Sequence, residues 1–260
     1  MLERLARLGY ASKAVIYAIV GCLAVAAAMN LGGRVTDASG ALRVVLRQPF
    51  GHAMLLVLAL GLCGYAAWRV LDALFDPDRR GTSVAGLVVR IGNVVRAAIY
   101  GMVGLEAFRL ARGLRGSGGR DAELWAGRVM NLPFGEWLIG VAGLIVVAYG
   151  ISQIVTAARG KASGQVDTTR LPRAARRPLL NIARFGVAAR AVIIVVLGVF
   201  LVRAALEHDP SQAADTRQSM IELVGMFRSR WTLAAIALGL VAYAVNQALQ
   251  ACCRRIRSPI

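Results

Sequence analysis

Long apolar stretches interrupted by short polar segments dominate the pattern along the chain. Ala14 to Leu31 holds 18 residues without a charge, which is the length at which an apolar run becomes a candidate transmembrane helix. Five further runs resemble it, and the predicted spans are 10–31, 53–75, 84–110, 137–158, 185–206 and 231–252. Each is about the length that a bilayer core near 30 Å requires. Their wealth of Ala, Leu and Gly, with no alternation at a period of two, favours helices over a barrel. Between the first and second runs of each pair lies a shorter amphipathic segment. Leu42, Val45 and Leu46 in the first correspond to Ala126, Val129 and Met130, and then to Met220, Leu223 and Val224. These segments predict short interfacial helices.

The runs come in three copies. Arg7-x-Gly9-x-x-x-Lys13-x-x-x-Tyr17-x-x-x-Gly21 returns as Arg90, Gly92, Arg96, Tyr100 and Gly104, and again as Arg184, Gly186, Arg190, Ile194 and Gly198. Tyr65 follows Gly9 by 56 residues, while Tyr149 and Tyr243 each follow Gly92 and Gly186 by 57. Asp37, Asp121 and Asp215 each stand 28 residues before one of these tyrosines. In a chain with 14 acidic residues, that register is not accidental. Each aspartate is placed to N-cap a short helix, because its carboxylate can accept from orphan backbone N–H groups. The expected fold is therefore all-α and membrane-integral, with six transmembrane helices in three two-helix units at 1–80, 81–165 and 166–260. The first run carries features of a signal peptide, namely Arg4, Arg7, Lys13 and the Ala26–Ala28 triplet. Its two internal copies predict a retained helix instead.

Composition narrows the function classes. The chain is 57% hydrophobic with a formal net charge of +17. Disorder requires low hydrophobicity, and a soluble basic nucleic-acid binder would not carry such runs. Most of the 31 Lys and Arg residues flank the ends that share a side with both termini. The positive-inside rule then predicts cytoplasmic termini in a bacterial inner membrane. Cys22, Cys63, Cys252 and Cys253 lack metal-ligand spacing. His52 and His208 do not recur between units, so a haem is not expected, and no cofactor or metal is. No GxxxxGK[ST], HExxH or GxSxG motif occurs, so catalysis is not expected either.

The residues that could bind something are polar groups inside the spans. Lys13, Arg96 and Arg190 recur in register, and their structural reading is snorkelling to headgroups. With Tyr17, Tyr100, Tyr65, Tyr149 and Tyr243 they could instead form anion-binding clusters in the inner leaflet. Polar groups one turn beyond the tyrosines (Trp68-Arg69, Ser152-Gln153 and Asn246-Gln247) would add to them. Basic pockets of this kind bind lipid headgroups. Membrane lipids are thus the expected partner, with a homo- or hetero-oligomer possible and no nucleic acid. Glu106, an acid inside a span, is expected to pair with Arg109 at i+3. A channel or transporter along a pseudo-threefold axis, with Glu106 as relay, is the competing reading. Whether the three clusters face one another or the lipid stays open at this point.

The chain resembles a bacterial membrane family known as domain of unknown function 1206, built of three tandem two-helix units. The resemblance rests on Gly-x-x-x-(Arg/Lys)-x-x-x-Tyr, on Gln48-Pro49-Phe50-Gly51, and on Gly61-Leu62 before Tyr65. The third unit departs from it, with Ile194 in place of the tyrosine and Phe227-Arg228-Ser229 in place of Pro-Phe-Gly. The resemblance implies an architecture and assigns no activity.

Overall fold

The computed structural model describes residues 2–75, 84–114, 121–160, 172–209, 216–227 and 230–253. Among them the secondary structure is helical: α1 (Leu2–Ala28), α2 (Ala38–Leu46), α3 (Gly51–Phe75), α4 (Val84–Ala111), α5 (Asp121–Met130), α6 (Gly135–Ala158), α7 (Arg173–Glu207), α8 (Thr216–Phe227) and α9 (Arg230–Cys253). Five of these, α1, α3, α6, α7 and α9, are long and apolar enough to cross a membrane. The sixth expected span, α4, has the length, but Asn93, Arg96, Glu106 and Arg109 lower its hydropathy below that of the others. The apolar side chains left outside, such as Leu56, Leu60, Leu144 and Trp137, suit a lipid environment and would be unusual on a water-soluble monomer.

The short helices start and stop as the pattern predicts. Asp37 adopts an extended backbone and its Oδ1 accepts from the Gly40 N–H at 2.9 Å, which caps α2. Asp121 heads α5, while Asp215 lies outside the described residues. The Pro-Phe-Gly segments have a geometric reason. Phe50 and Phe134 sit in the left-handed region at φ 61° and 63°, turning the chain into α3 and α6. The glycine that follows each abuts the last carbonyls of the short helix, Leu46 O for Gly51 and Val129 O for Gly135. A side chain has no room there.

The long helices form a ring. Helix α3 packs on α4, α6 on α7, and α9 returns to pack on α1, with α1–α3 and α7–α9 completing the contacts. The later glycine of each first helix makes the joints between consecutive units. A Cβ on Gly21 would reach 2.7 Å from Val241, on Gly104 2.9 Å from Cys63, and on Gly198 2.8 Å from Val147. Small residues allow this close helix approach where lipid supplies no hydrophobic drive. The earlier glycine makes the joint within a unit. At Gly9 a Cβ would collide with Tyr65, and at Gly186 with the backbone of Tyr243, but Gly92 faces open space. Helices α4 and α6 are accordingly not among the closely packed pairs of the described residues. The cause is visible four residues before each tyrosine. Gly61 and Gly239 there meet the first helix of their own unit, whereas the matching residue of α6 is Ile145, 49% exposed.

Candidate functional site

The three basic residues that recur in register, Lys13, Arg96 and Arg190, meet in one network. In the first unit Lys13, 3% exposed, donates from Nζ to the Tyr65 hydroxyl at 3.3 Å. The same hydroxyl accepts from Arg69 Nε at 2.8 Å. In the second unit Arg96 donates to the Tyr149 hydroxyl, and Gln153 Nε2 donates to it at 2.6 Å. The two units thus repeat one motif: a base from the first helix and a residue four beyond the tyrosine converge on a single phenol oxygen.

The third unit breaks the motif. Arg190 lies over the Tyr243 ring at 4.8 Å, but it hydrogen-bonds to tyrosines of the other units. Its Nε donates to Tyr17 at 3.0 Å and its Nη2 to Tyr100 at 3.3 Å. Those two hydroxyls are themselves 3.1 Å apart. The substitution at Ile194 accounts for the change. With no third hydroxyl in that register, a guanidinium that presents several donors in one plane takes both phenol oxygens. Tyr243 packs edge-on to Tyr17 at 4.7 Å between ring centroids.

Cations and ring faces join the units. Lys13 Nζ sits 4.5 Å from the Tyr65 ring centroid and 4.2 Å from that of Tyr100, within the range of attractive cation–π contact. Arg69 spans the remainder, donating to Tyr10 at 3.0 Å, Asn93 at 3.1 Å and Asp72 at 3.2 Å. Asn93 accepts in turn from Arg96 at 3.1 Å and donates to Asp72 at 2.8 Å. All 6 tyrosines of the chain therefore lie in this one network. The clusters face one another, which answers the question that spacing left open. Among the described residues, the network gathers four basic side chains, Lys13, Arg69, Arg96 and Arg190, and one carboxylate, Asp72, which pairs with Arg69. Burying an ion costs several kcal/mol unless it is compensated; here phenol oxygens, the Asn93 amide and aromatic faces surround the basic groups.

Tyr10, Asn93 and Asp72 were not singled out from the sequence. A signal existed for two of them: Tyr10 and Asn93 each directly follow the first glycine of their unit and both bond Arg69.

Glu106 is buried on α4, but Ser39 Oγ of the short helix α2 donates to its Oε2 at 2.6 Å. The expected Glu106–Arg109 ion pair is not among the described contacts, and Arg109 lies on the exposed side of α4. Three residues along a helix fall about 60° short of a full turn, enough to carry Arg109 outward while Glu106 stays inside. His208 Nε2 lies 2.9 Å from Glu136 Oε2, linking the C-terminal end of α7 to the N-terminal end of α6. Among the described residues, no three His, Cys, Asp or Glu side chains are placed to hold a metal ion.

A cavity of about 40 Å³ lies between the network and the N-terminus of α2, lined by Lys13, Tyr17, Asp37 and Tyr100 among others. It has room for one or a few waters.

Apolar helices of membrane-crossing length around a shared polar centre define a multi-pass, repeat-built membrane protein. A family model, Domain of Unknown Function (DUF1206), matches the chain three times, at residues 8–76, 91–160 and 185–254. The chain belongs to that family. It is 34% identical to an uncharacterised protein of Bacillus subtilis (strain 168) over 242 residues, which cover 93% of this chain and 87% of the relative. No solved structure matches it significantly.

Proposed function

We propose that this is a non-enzymatic inner-membrane protein that binds an anionic, phosphate-bearing lipid headgroup at the side of the network that opens between α4 and α6. One observation carries the reading. The network has more cations than carboxylates, and the helix pair that is loose is the pair bridged by Arg96 and Tyr149. A phosphate entering there meets Arg96 first and then Arg190, both half-buried. Arginine suits phosphate because its planar fork matches two oxygens at once. In this reading α4 is the sixth span and both termini are cytoplasmic. Two features support it: α4 runs against α3 through Gly101 and Gly104, and the basic residues concentrate on the side of the termini.

The test is native mass spectrometry of the gently purified protein. Arg96→Gln and the Lys13/Arg96/Arg190 triple Gln variant are each expected to lose retained anionic lipid. Arg203→Gln, which removes an exposed residue paired with Glu207, should keep it. Equal lipid content in all forms overturns the reading.

The cavity beside Lys13 favours a second reading, transport along the axis. It leads from Asp37 toward the Tyr17–Tyr100 pair, where Arg190 closes the route. Ion flux into proteoliposomes that is lost with Glu106→Gln would support this reading, and absence of flux in the wild type would remove it.

A further inference from the structure

The third unit leaves two buried acceptors unused. Asn246 and Gln247 on α9 are 1% and 2% exposed, and their side-chain oxygens Oδ1 and Oε1 have no hydrogen-bond partner among the described residues. A buried carbonyl oxygen without a donor loses the hydrogen bonds it made to water and gains none in return. Their register makes the omission specific. Gln247 stands four residues after Tyr243, where Arg69 and Gln153 stand after Tyr65 and Tyr149, and both of those are engaged with their phenol. Four residues is one helical turn, so Gln247 shares the face of α9 that carries Tyr243 toward Tyr17 and Arg190. In the ring α9 lies opposite the loose α4–α6 pair, because α1 and α3 separate it from α4 on one side and α7 from α6 on the other.

We propose that Asn246 and Gln247 read a hydroxyl-bearing headgroup. The phosphodiester rests on Arg96 and Arg190, and the hydroxyls beyond it donate to the two amide carbonyls. The inference rests on the phosphate-binding reading above and specifies its ligand. The same carbonyls would accept from an ammonium, but a positive headgroup terminus would enter a centre that already holds Lys13, Arg69, Arg96 and Arg190. A neutral polyol such as glycerol supplies the donors without that repulsion. A lipid headgroup and a soluble glycerophosphodiester share this chemistry.

The experiment measures binding to the full chain in detergent by native mass spectrometry, with phosphatidylglycerol, phosphatidic acid, phosphatidylethanolamine and deacylated glycerophosphoglycerol as probes. The wild type is expected to prefer phosphatidylglycerol to phosphatidic acid by about tenfold, as one or two hydrogen bonds to buried acceptors imply. Gln247→Leu and Asn246→Leu should erase that preference and leave phosphatidic acid binding intact, since a leucine fills the space without an unpaired acceptor. Competition by glycerophosphoglycerol at matching concentration would identify a soluble ligand, and its failure a lipid. A wild type that binds both anionic lipids equally, that prefers phosphatidylethanolamine, or that keeps its preference in both leucine variants overturns the inference while sparing the phosphate site. Failure to bind any of the anionic lipids overturns the phosphate site itself, and the inference with it.

Discussion

Units one and three are closed by a glycine against a tyrosine-bearing helix, whereas unit two is held by side chains reaching across a gap. The chain keeps Gly92 in register with Gly9 and Gly186 yet gives it nothing to touch. The difference arises from the opposing helix, where Ile145 occupies the position of Gly61 and Gly239. A repeat protein can thus keep its motif everywhere and still make one site, by changing a single small residue on the partner face. Closure makes the scaffold, and in the proposed function the one failure to close is the route between the polar centre and lipid.

The largest test of this contrast removes a cation from each side. Arg69→Leu in closed unit one strips partners from Tyr10, Tyr65, Asn93 and buried Asp72, and should cost about 3–5 kcal/mol, as breaking a buried ion pair does. Arg96→Leu in the open unit should cost roughly 1–2 kcal/mol. Thermal unfolding in detergent compares them, and equal losses would break the distinction. Next come the glycines. Gly9→Ala and Gly186→Ala force a methyl into tight joints and should each lose about 1–3 kcal/mol. Gly92→Ala should be neutral or up to about 1 kcal/mol stabilising, because alanine is the better helix former. A third variant sharpens the cause. Ile145→Gly should cost about 1 kcal/mol in helix propensity and, by letting α6 approach α4, lower the retained anionic lipid. Unchanged lipid would mean that Ile145 does not hold the gap open. The smallest effect is at the outer face, where Asp37→Ala should lose about 1 kcal/mol with its cap and leave lipid retention unchanged.

The architecture was legible because its signals are periodic. The glycine, basic and tyrosine registers lie at fixed offsets, so each copy marks out the same helices. The bases and tyrosines of the site were legible for the same reason. What the sequence hid were contacts that cross between units. Arg190 binds Tyr17 and Tyr100 and not the phenol of its own unit, because Ile194 removes a hydroxyl whose absence is felt elsewhere. Ser39 takes the Glu106 carboxylate from a different helix, which local spacing on α4 could not reveal. Tyr10 and Asn93 share a register position but not a residue type, so their common partner Arg69 emerges only when the helices are assembled.

The gathering of every tyrosine into one network has an experimental consequence. Ordinarily a tyrosine signal averages over a molecule. Here tyrosine resonance Raman bands, or the fluorine resonances of a protein grown on 3-fluorotyrosine, come from the polar centre and nowhere else. A bound anion, a displaced water or a shifted helix at that centre will register in those spectra without any engineered label. The chain carries its own reporter.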